Sequence, residues 1–407
     1  MEFTTISNND KSAIIYLPEN LIEEEIKTQL LHVLSNNSVN NIRLMPDCHP
    51  GHGCLVGFTA KINIDKINPN FIGGDIGCGI LTYPLGNKNF DLYKIEEKVR
   101  MLIPMSNDNK TGNHEETPIE SSYLERYLER ANIKLQYFYD KFENEINDIK
   151  KTSNVEIIRE TINIDYFDQL LNLIRIKKDA CLRSFGTLGG GNHFIEINID
   201  ENTSEKYLSI HSGSRNFGMK LFHHHCMFVN SIEKSLLGKR SLDYIADLIL
   251  AQELATMNRH IMLQLILREI NVEFDENLII QSVHNYIDFD NMILRKGAIS
   301  ANANELCILA LNMRDGILIC EGIGNENWNY SCAHGCGRLM TRNEARKSIS
   351  LKKFKKSMKD IITSSVNKNT LDEAPDAYKD YNLILNIIDG NSVNVKKLLR
   401  PVVNWKG

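Results

Sequence analysis

Asp75 and Cys78 stand three residues apart within residues 71–80, Phe-Ile-Gly-Gly-Asp-Ile-Gly-Cys-Gly-Ile. One offers a hard oxygen and the other a soft sulfur, and both can ligate a metal. Four glycines in this stretch make a poor helix, each costing about 1 kcal/mol there. They also let a turning backbone approach something closely. A tight turn around an inert, buried cysteine has the same composition, so the rest of the chain must decide.

Four histidines tip the balance: His193, His211, His284 and His334 each follow or enter an apolar, strand-like run, with Gly or Asn close by. A single histidine at a strand end is usually a satisfied structural residue. Four of them beside an Asp-x-x-Cys loop are better explained as ligands or nucleophiles. Imidazole and thiolate suit Mn, Fe, Co or Zn. One Cys, one Asp and three His could hold one ion, or two ions sharing a bridging thiolate. Cys332 and Cys336 flank His334 like half of a zinc finger, but no second half exists. His223-His224-His225 lies in a helical pattern, where consecutive residues cannot all face one ion, and reads as helix surface. Arg215, Arg295, Lys296, Arg338, Arg342 and Lys406 sit near these loops. Few and placed at turns, they suit specific phosphates better than a broad nucleic-acid patch. The sum is a metal-dependent enzyme acting on phosphates, with hydrolysis, phosphodiester cleavage and nucleotidyl transfer all open.

The elements that must position these residues alternate between strand and helix. Residues 13–17, 40–45, 55–64, 207–211, 278–283, 306–312 and 317–322 read as strands. Residues 21–34, 91–103, 221–237, 243–270 and 343–347 read as helices. Residues 46–53, rich in Pro and Gly, read as a loop at a strand end, where sites tend to sit. Residues 106–120 are polar and read as a surface loop, and 121–174 as charged helices. Together 106–174 form a helical insertion or subdomain within one 1–407 domain. The fold class is α+β, a central β core with peripheral helices.

The chain has 407 residues, 42% hydrophobic and 24% charged, with net charge −5. This is the profile of a globular protein with a sizeable core and no global basic field. Nine cysteines without small-scaffold spacing, a polar N-terminus and no long apolar run lead to the expectation of a reducing, cytoplasmic setting without a membrane span.

Taken together, the motifs resemble the RtcB family, GTP-dependent RNA ligases that join a 3′-phosphate or 2′,3′-cyclic phosphate end to a 5′-hydroxyl end. The matching segments are 45–49, 74–79, 186–197, 211–215, 284–286, 295–300, 322–326, 334–338, 377–380 and 406–407, in family order. The resemblance implies a single-domain RtcB-like fold whose β core carries a dinuclear site for two Mn²⁺. Cys78 would bridge the ions, His193 and His211 would complete one site, and Asp75 and His284 the other. His334 would take guanylate from GTP, with Asp47 orienting it. Asn192, Glu196, Asn285, Asn312, Tyr378 and Lys406 match nucleotide-contacting positions. Arg215 and Arg342 match positions that hold RNA phosphates or pyrophosphate. The implied partners are RNA with the stated ends, GTP and an archease-type activator, on a monomer.

This chain departs from the family pattern in three places. Ala310-Leu311-Asn312-Met313 stands where Pro-Gly-Ser-Met is usual, His52 where Lys is common, and Trp405 precedes Lys406, where it could stack. The first change removes a preset turn from a loop that holds nucleotide. It raises the alternative of a metal-dependent RNA phosphodiesterase or end-processing enzyme with lost or altered nucleotide use. Cys48, Cys54, Cys332 and Cys336 put thiols near the site and imply oxidation sensitivity.

Overall fold

The computed structural model describes residues 2–8, 10–105, 121–152 and 160–407. The expected surface loop at 106–120, and part of the expected insertion, lie outside the described residues. The fold is α+β, as expected, and is built on two sheets. The first has six strands, in the order Thr4–Asn8, Lys11–Ile15, Val39–His49, Val56–Ile62, Ile293–Lys296 and Asn285–Asp288. The second has seven, in the order Ile280–Val283, Gly79–Gly86, Lys206–Ser212, Phe194–Asp200, Val393–Lys406, Gly316–Gly322 and Leu306–Asn312. Among these strands only Lys11–Ile15 and Val39–His49 pair in parallel. The edges of the second sheet curl toward each other, and the Ile308 N–H donates to Ser282 Oγ at 2.9 Å. The result is close to a barrel.

This arrangement concentrates strand ends in one place. The chain leaves the second sheet at Val283 and enters the first at Asn285, so His284 is the single residue between them. Cys78 and His193 directly precede strands of the second sheet, and His211 lies within one. In the register His211 faces both Ile80 and Phe194. Asp47 and His334 come from the other side. The Val39–His49 strand continues through residues read as a loop, because its pairing with Val56–Ile62 carries to His49. His334 follows the short strand Ser331–Ala333.

The helices mostly cover the outside, with one exception. Lys239–Glu269 carries buried residues on every face, among them Leu242, Tyr244, Leu248, Leu254, Met262 and Ile266. It is a central helix, not a peripheral one, since a helix apolar all round must be enclosed. Its C-terminal half packs on Leu81, Ile195, Ile197, Leu208 and Ile210 of the second sheet. The helix Ser121–Lys141 lies against it, contributing Leu124, Tyr127 and Leu128 to the shared core. The expected 221–237 helix is shorter. It runs Arg215–Cys226 and is followed by turns and a two-residue strand.

Candidate active site

Cys78, His193 and His211 present ligand atoms within 4.8 Å of one another, and all three are buried. Cys78 Sγ lies 3.4 Å from His193 Nε2 and 3.2 Å from His211 Nε2. Asp75 Oδ2 is 3.0 Å from His193 Nε2, and His284 Nε2 is 3.3 Å from His211 Nε2. All five expected ligands therefore converge.

The backbone around them fixes which nitrogen faces inward. His193 Nδ1 donates to Leu188 O at 2.9 Å and His211 Nδ1 to Asn192 O at 3.1 Å. Each ring then turns Nε2 to the centre, the usual outer-shell device of a metal-binding histidine. Burial pushes His211 and His284 well below the ordinary imidazole range, so both are neutral. Burial opposes ionisation of Asp75, but the His193 imidazole beside it holds the carboxyl well below the usual range. Burial, reinforced by the Asp75 charge, pushes the Cys78 thiol well up. Cys78 Sγ, His193 Nε2 and His211 Nε2 are donor atoms turned toward one another, where a cation could be held among them. A bound cation would also draw the thiol to thiolate. The donor set therefore fits a borderline divalent metal.

Two glycines permit this closeness. Gly77 has φ +69°, and a Cβ there would sit 2.8 Å from Ala255 Cβ. A Cβ on Gly213 would lie 2.1 Å from Asp75 Oδ1. The central helix clamps both loops. Arg259, fully buried, donates to Gly77 O at 2.8 Å and Ser212 O at 2.7 Å. Asn258 Nδ2 reaches Ser212 Oγ at 3.0 Å and Gly213 O at 3.2 Å, while its Oδ1 accepts from Gly186 N at 2.7 Å. Burial lowers Arg259 to about 10, and the Cys78 and Asp75 charges act the other way. Sequence reasoning passed over both residues. The signal available was a polar Asn-Arg pair inside an otherwise apolar helix.

His334 stands beside this centre, its ring centroid 4.8 Å from that of His284. Asp47 Oδ2 accepts from His334 Nδ1 at 2.7 Å and from the N–H groups of His334 and Gly335, both at 3.2 Å. Asp47 is fully buried. This is the nucleophile-and-orienter geometry of an activated imidazole.

Two recesses meet at His334. A crevice of about 70 Å³ is lined by Asn192, Glu196, Asn312, Tyr378 and Lys406, together with Glu373. A wider cleft of about 540 Å³ is lined by Asp75, Cys78, His284, Asn285, Tyr378 and Arg342, among others. Arg215 lines neither; its guanidinium packs on Gly189 and donates to Thr187 Oγ1 at 3.2 Å. Asn285 uses its amide within the protein, donating to Asp75 O at 2.9 Å and accepting from Gly297 N at 3.0 Å. Asn312 also uses its amide within the protein. Its Oδ1 accepts from Arg314 N and Asp315 N, both at 3.0 Å, and closes the hairpin turn. Trp405 does not reach the site: it is buried and donates to Glu96 O at 2.9 Å, anchoring the last strand.

Glu373 is the site residue most clearly missed. Buried, it accepts from Lys406 Nζ at 2.6 Å, Tyr378 OH at 2.7 Å, Arg338 at 3.2 Å and Arg342 at 2.5 Å. It ties Lys406 and Tyr378 of the crevice to Arg338 and Arg342 of the wider cleft. Nothing in the local sequence marked it, because its partners are spread over residues 338–406. His225 also differs from expectation. It is buried, not on the helix surface, and Asp247 Oδ2 lies 2.7 Å from its Nε2. His223 is exposed, while His224 is half-buried with its ring edge-on to that of His225, centroids 5.2 Å apart. Among the described residues no helix is long and apolar enough to cross a membrane.

A family model described as tRNA-splicing ligase RtcB matches residues 29–407. RNA-splicing ligase RtcB of Escherichia coli K12 is 26% identical, with 95% of each chain covered. RNA-splicing ligase RtcB2 of Escherichia coli ATCC 25922 is 23% identical, covering 94% of this chain and 92% of its own. tRNA-splicing ligase RtcB of Nanoarchaeum equitans is 22% identical, covering 97% and 94%.

Proposed function

Since the chain belongs to the RtcB family, we propose that it is an RNA ligase that joins 3′-phosphate or 2′,3′-cyclic phosphate ends to 5′-hydroxyl ends through a guanylated His334. The observation that carries this reading is the placement of an Asp47-held histidine directly against the Cys78–His193–His211–His284–Asp75 cluster. Asp47 keeps the proton on Nδ1, which leaves Nε2 as the nucleophile. Nε2 attacks the α-phosphorus of GTP, a P–N bond forms, and pyrophosphate leaves. The RNA 3′-phosphate then attacks the same phosphorus and the P–N bond breaks. The 5′-hydroxyl attacks the activated 3′-phosphate, loses its proton and releases GMP. A cyclic phosphate must first be opened by water.

Asp75, Cys78, His193, His211 and His284 would hold two Mn²⁺, which would supply Lewis-acid stabilisation of charge on the phosphates. Lys406, Tyr378 and Glu373 are suited to the guanylate, and Arg342 to phosphate oxygens at the cleft rim. The setting we propose is cytoplasmic. The test is to incubate the protein with Mn²⁺ and GTP labelled in the α-phosphate, then look for an acid-labile adduct. Label on wild type and none on His334→Ala is the expected result; no label on wild type overturns it.

A second reading rests on the crevice. Its free space of about 70 Å³ is below the ~300 Å³ at which small-molecule sites usually begin, and Asn312 is already committed to its turn. A metal-dependent end-processing enzyme without nucleotide use would open cyclic-phosphate ends in the absence of GTP and yield no joined product.

A further inference from the structure

The chain carries net charge −5, yet residues 346–359 hold seven cations and no acid. They form two short helices, Arg342–Ser348 and Leu351–Ser357, with a brief link between them. Ala345, Ile349, Phe354 and Met358 are buried in a small core with Met313, Ala374 and Ala377, and Leu351 packs half-buried against it. Every cation of the segment is therefore turned outward and exposed. Arg346 meets Asp372 and Lys353 meets Asp376. Lys352, Lys355 and Lys356 have no salt-bridge partner among the described residues.

The patch is continuous with the site. The helix that begins it starts at Arg342, and Thr341, Arg342 and Glu344 line the cleft that holds His334. Arg342 also binds Asp372 and Glu373, which tie the helix to Lys406 and Tyr378. A local run of unpaired lysines on an acidic protein is the footprint of a polyanion. A membrane surface is a poorer match, because interfacial helices expose an apolar face, and no large apolar residue of 346–359 is exposed.

We propose that the cationic face of residues 346–359 is the track for the RNA backbone flanking the break. The substrate class is then an RNA with several phosphates beyond the ends being joined, not a minimal pair of termini. This rests on the ligase reading of the cleft, and the test separates the two.

The variant is Lys352→Glu/Lys355→Glu/Lys356→Glu, which touches neither the metal cluster nor the crevice. Guanylation by α-labelled GTP reports the catalytic centre, and it is expected to match wild type. Binding of an RNA of tRNA size, followed by fluorescence anisotropy across a salt series, reports the track. Each phosphate neutralised contributes about 0.7–0.9 to the slope of log K against log salt. Losing three contacts lowers the slope by about 2 to 3 and weakens binding on the order of 100-fold at 0.1 M salt. Short RNA termini that end inside the cleft are expected to bind both proteins alike. Equal affinity and slope for the long RNA in variant and wild type overturn the track. So does tighter binding of wild type to phosphatidylserine vesicles than to RNA. A wild type that forms no adduct with GTP, but loses long-RNA binding on charge reversal, would sink the ligase reading and leave the track standing.

Discussion

The contact between Asp47 and His334 can be tested at the level of a single atom. Asp47 Oδ2 accepts three hydrogen bonds, one from the ring and two from backbone N–H groups of residues 334 and 335. Asp47→Asn keeps an acceptor of the same shape and loses the charge. A charge-assisted hydrogen bond is about twice as strong as a neutral one, so the loss while the imidazole carries positive charge is about 1–1.5 kcal/mol. That is roughly a tenfold fall in the rate of adduct formation. Asp47→Ala strands both backbone donors at about 1–3 kcal/mol each and frees the ring to rotate. Its adduct rate is expected to fall further than that of Asn, and its stability by about 2–6 kcal/mol. Single-turnover labelling with α-labelled GTP, paired with urea unfolding, separates the two effects. Wild-type labelling rates in both variants, with the fold intact, would refute the idea that Asp47 sets the tautomer and orientation of His334.

Three further outcomes are expected, the first from the proposed two-ion assignment and the others from the geometry. Cys78→Ala is expected to empty both metal sites, while Asp75→Ala mainly weakens the ion shared with His284; metal content by mass spectrometry reads this, and full occupancy in both refutes the shared-sulfur assignment. Arg259→Met strands the carbonyls of Gly77 and Ser212, so a stability loss of about 2–4 kcal/mol should accompany weaker metal retention. Wild-type metal content at wild-type stability would show that the clamp does nothing. Burial raises the Glu196 carboxyl from 4.5 to about 7, against the bonds from Asn198 and Asn404 and the charge of Lys406. Between pH 4.5 and 7 the folded chain therefore holds a proton that the unfolded chain has lost. Stability from this group is full at the acid end and declines by about 3 kcal/mol as pH rises through that window. Urea unfolding from pH 5 to 8 should show the slope in wild type and not in Glu196→Gln.

The clustering of Asp75, Cys78, His193, His211 and His284 was legible in the sequence because strand ends in a curled sheet gather short-range signals: a histidine, a glycine and an apolar run. Each ligand carried its own mark within a few residues, and the family resemblance then gave the five a shared job. The clamp of Asn258 and Arg259 was not legible in this way. Its partners are backbone carbonyls of loops more than 40 residues away, and carbonyls leave no trace in residue type. Glu373 was hidden for the same reason, since its meaning lies in Lys406, Tyr378, Arg338 and Arg342 arriving around it. The strand through Asp47 was read as a loop because Pro46 and Pro50 were weighted over sheet pairing that only tertiary structure supplies. The lysines of 346–359 are plain in the sequence, but only the fold shows them as one outward face, because it is the burial of Ala345, Ile349, Phe354 and Met358 that turns them together.

The central claim is end joining at His334. An RNA carrying a labelled 3′-phosphate is mixed with an RNA carrying a 5′-hydroxyl, in the presence of Mn²⁺ and GTP. The account predicts a joined product that retains the label at the junction, depends on GTP, and is absent with His334→Ala. Loss of the label to solution without joining, or joining that proceeds equally well without GTP or without His334, would contradict it.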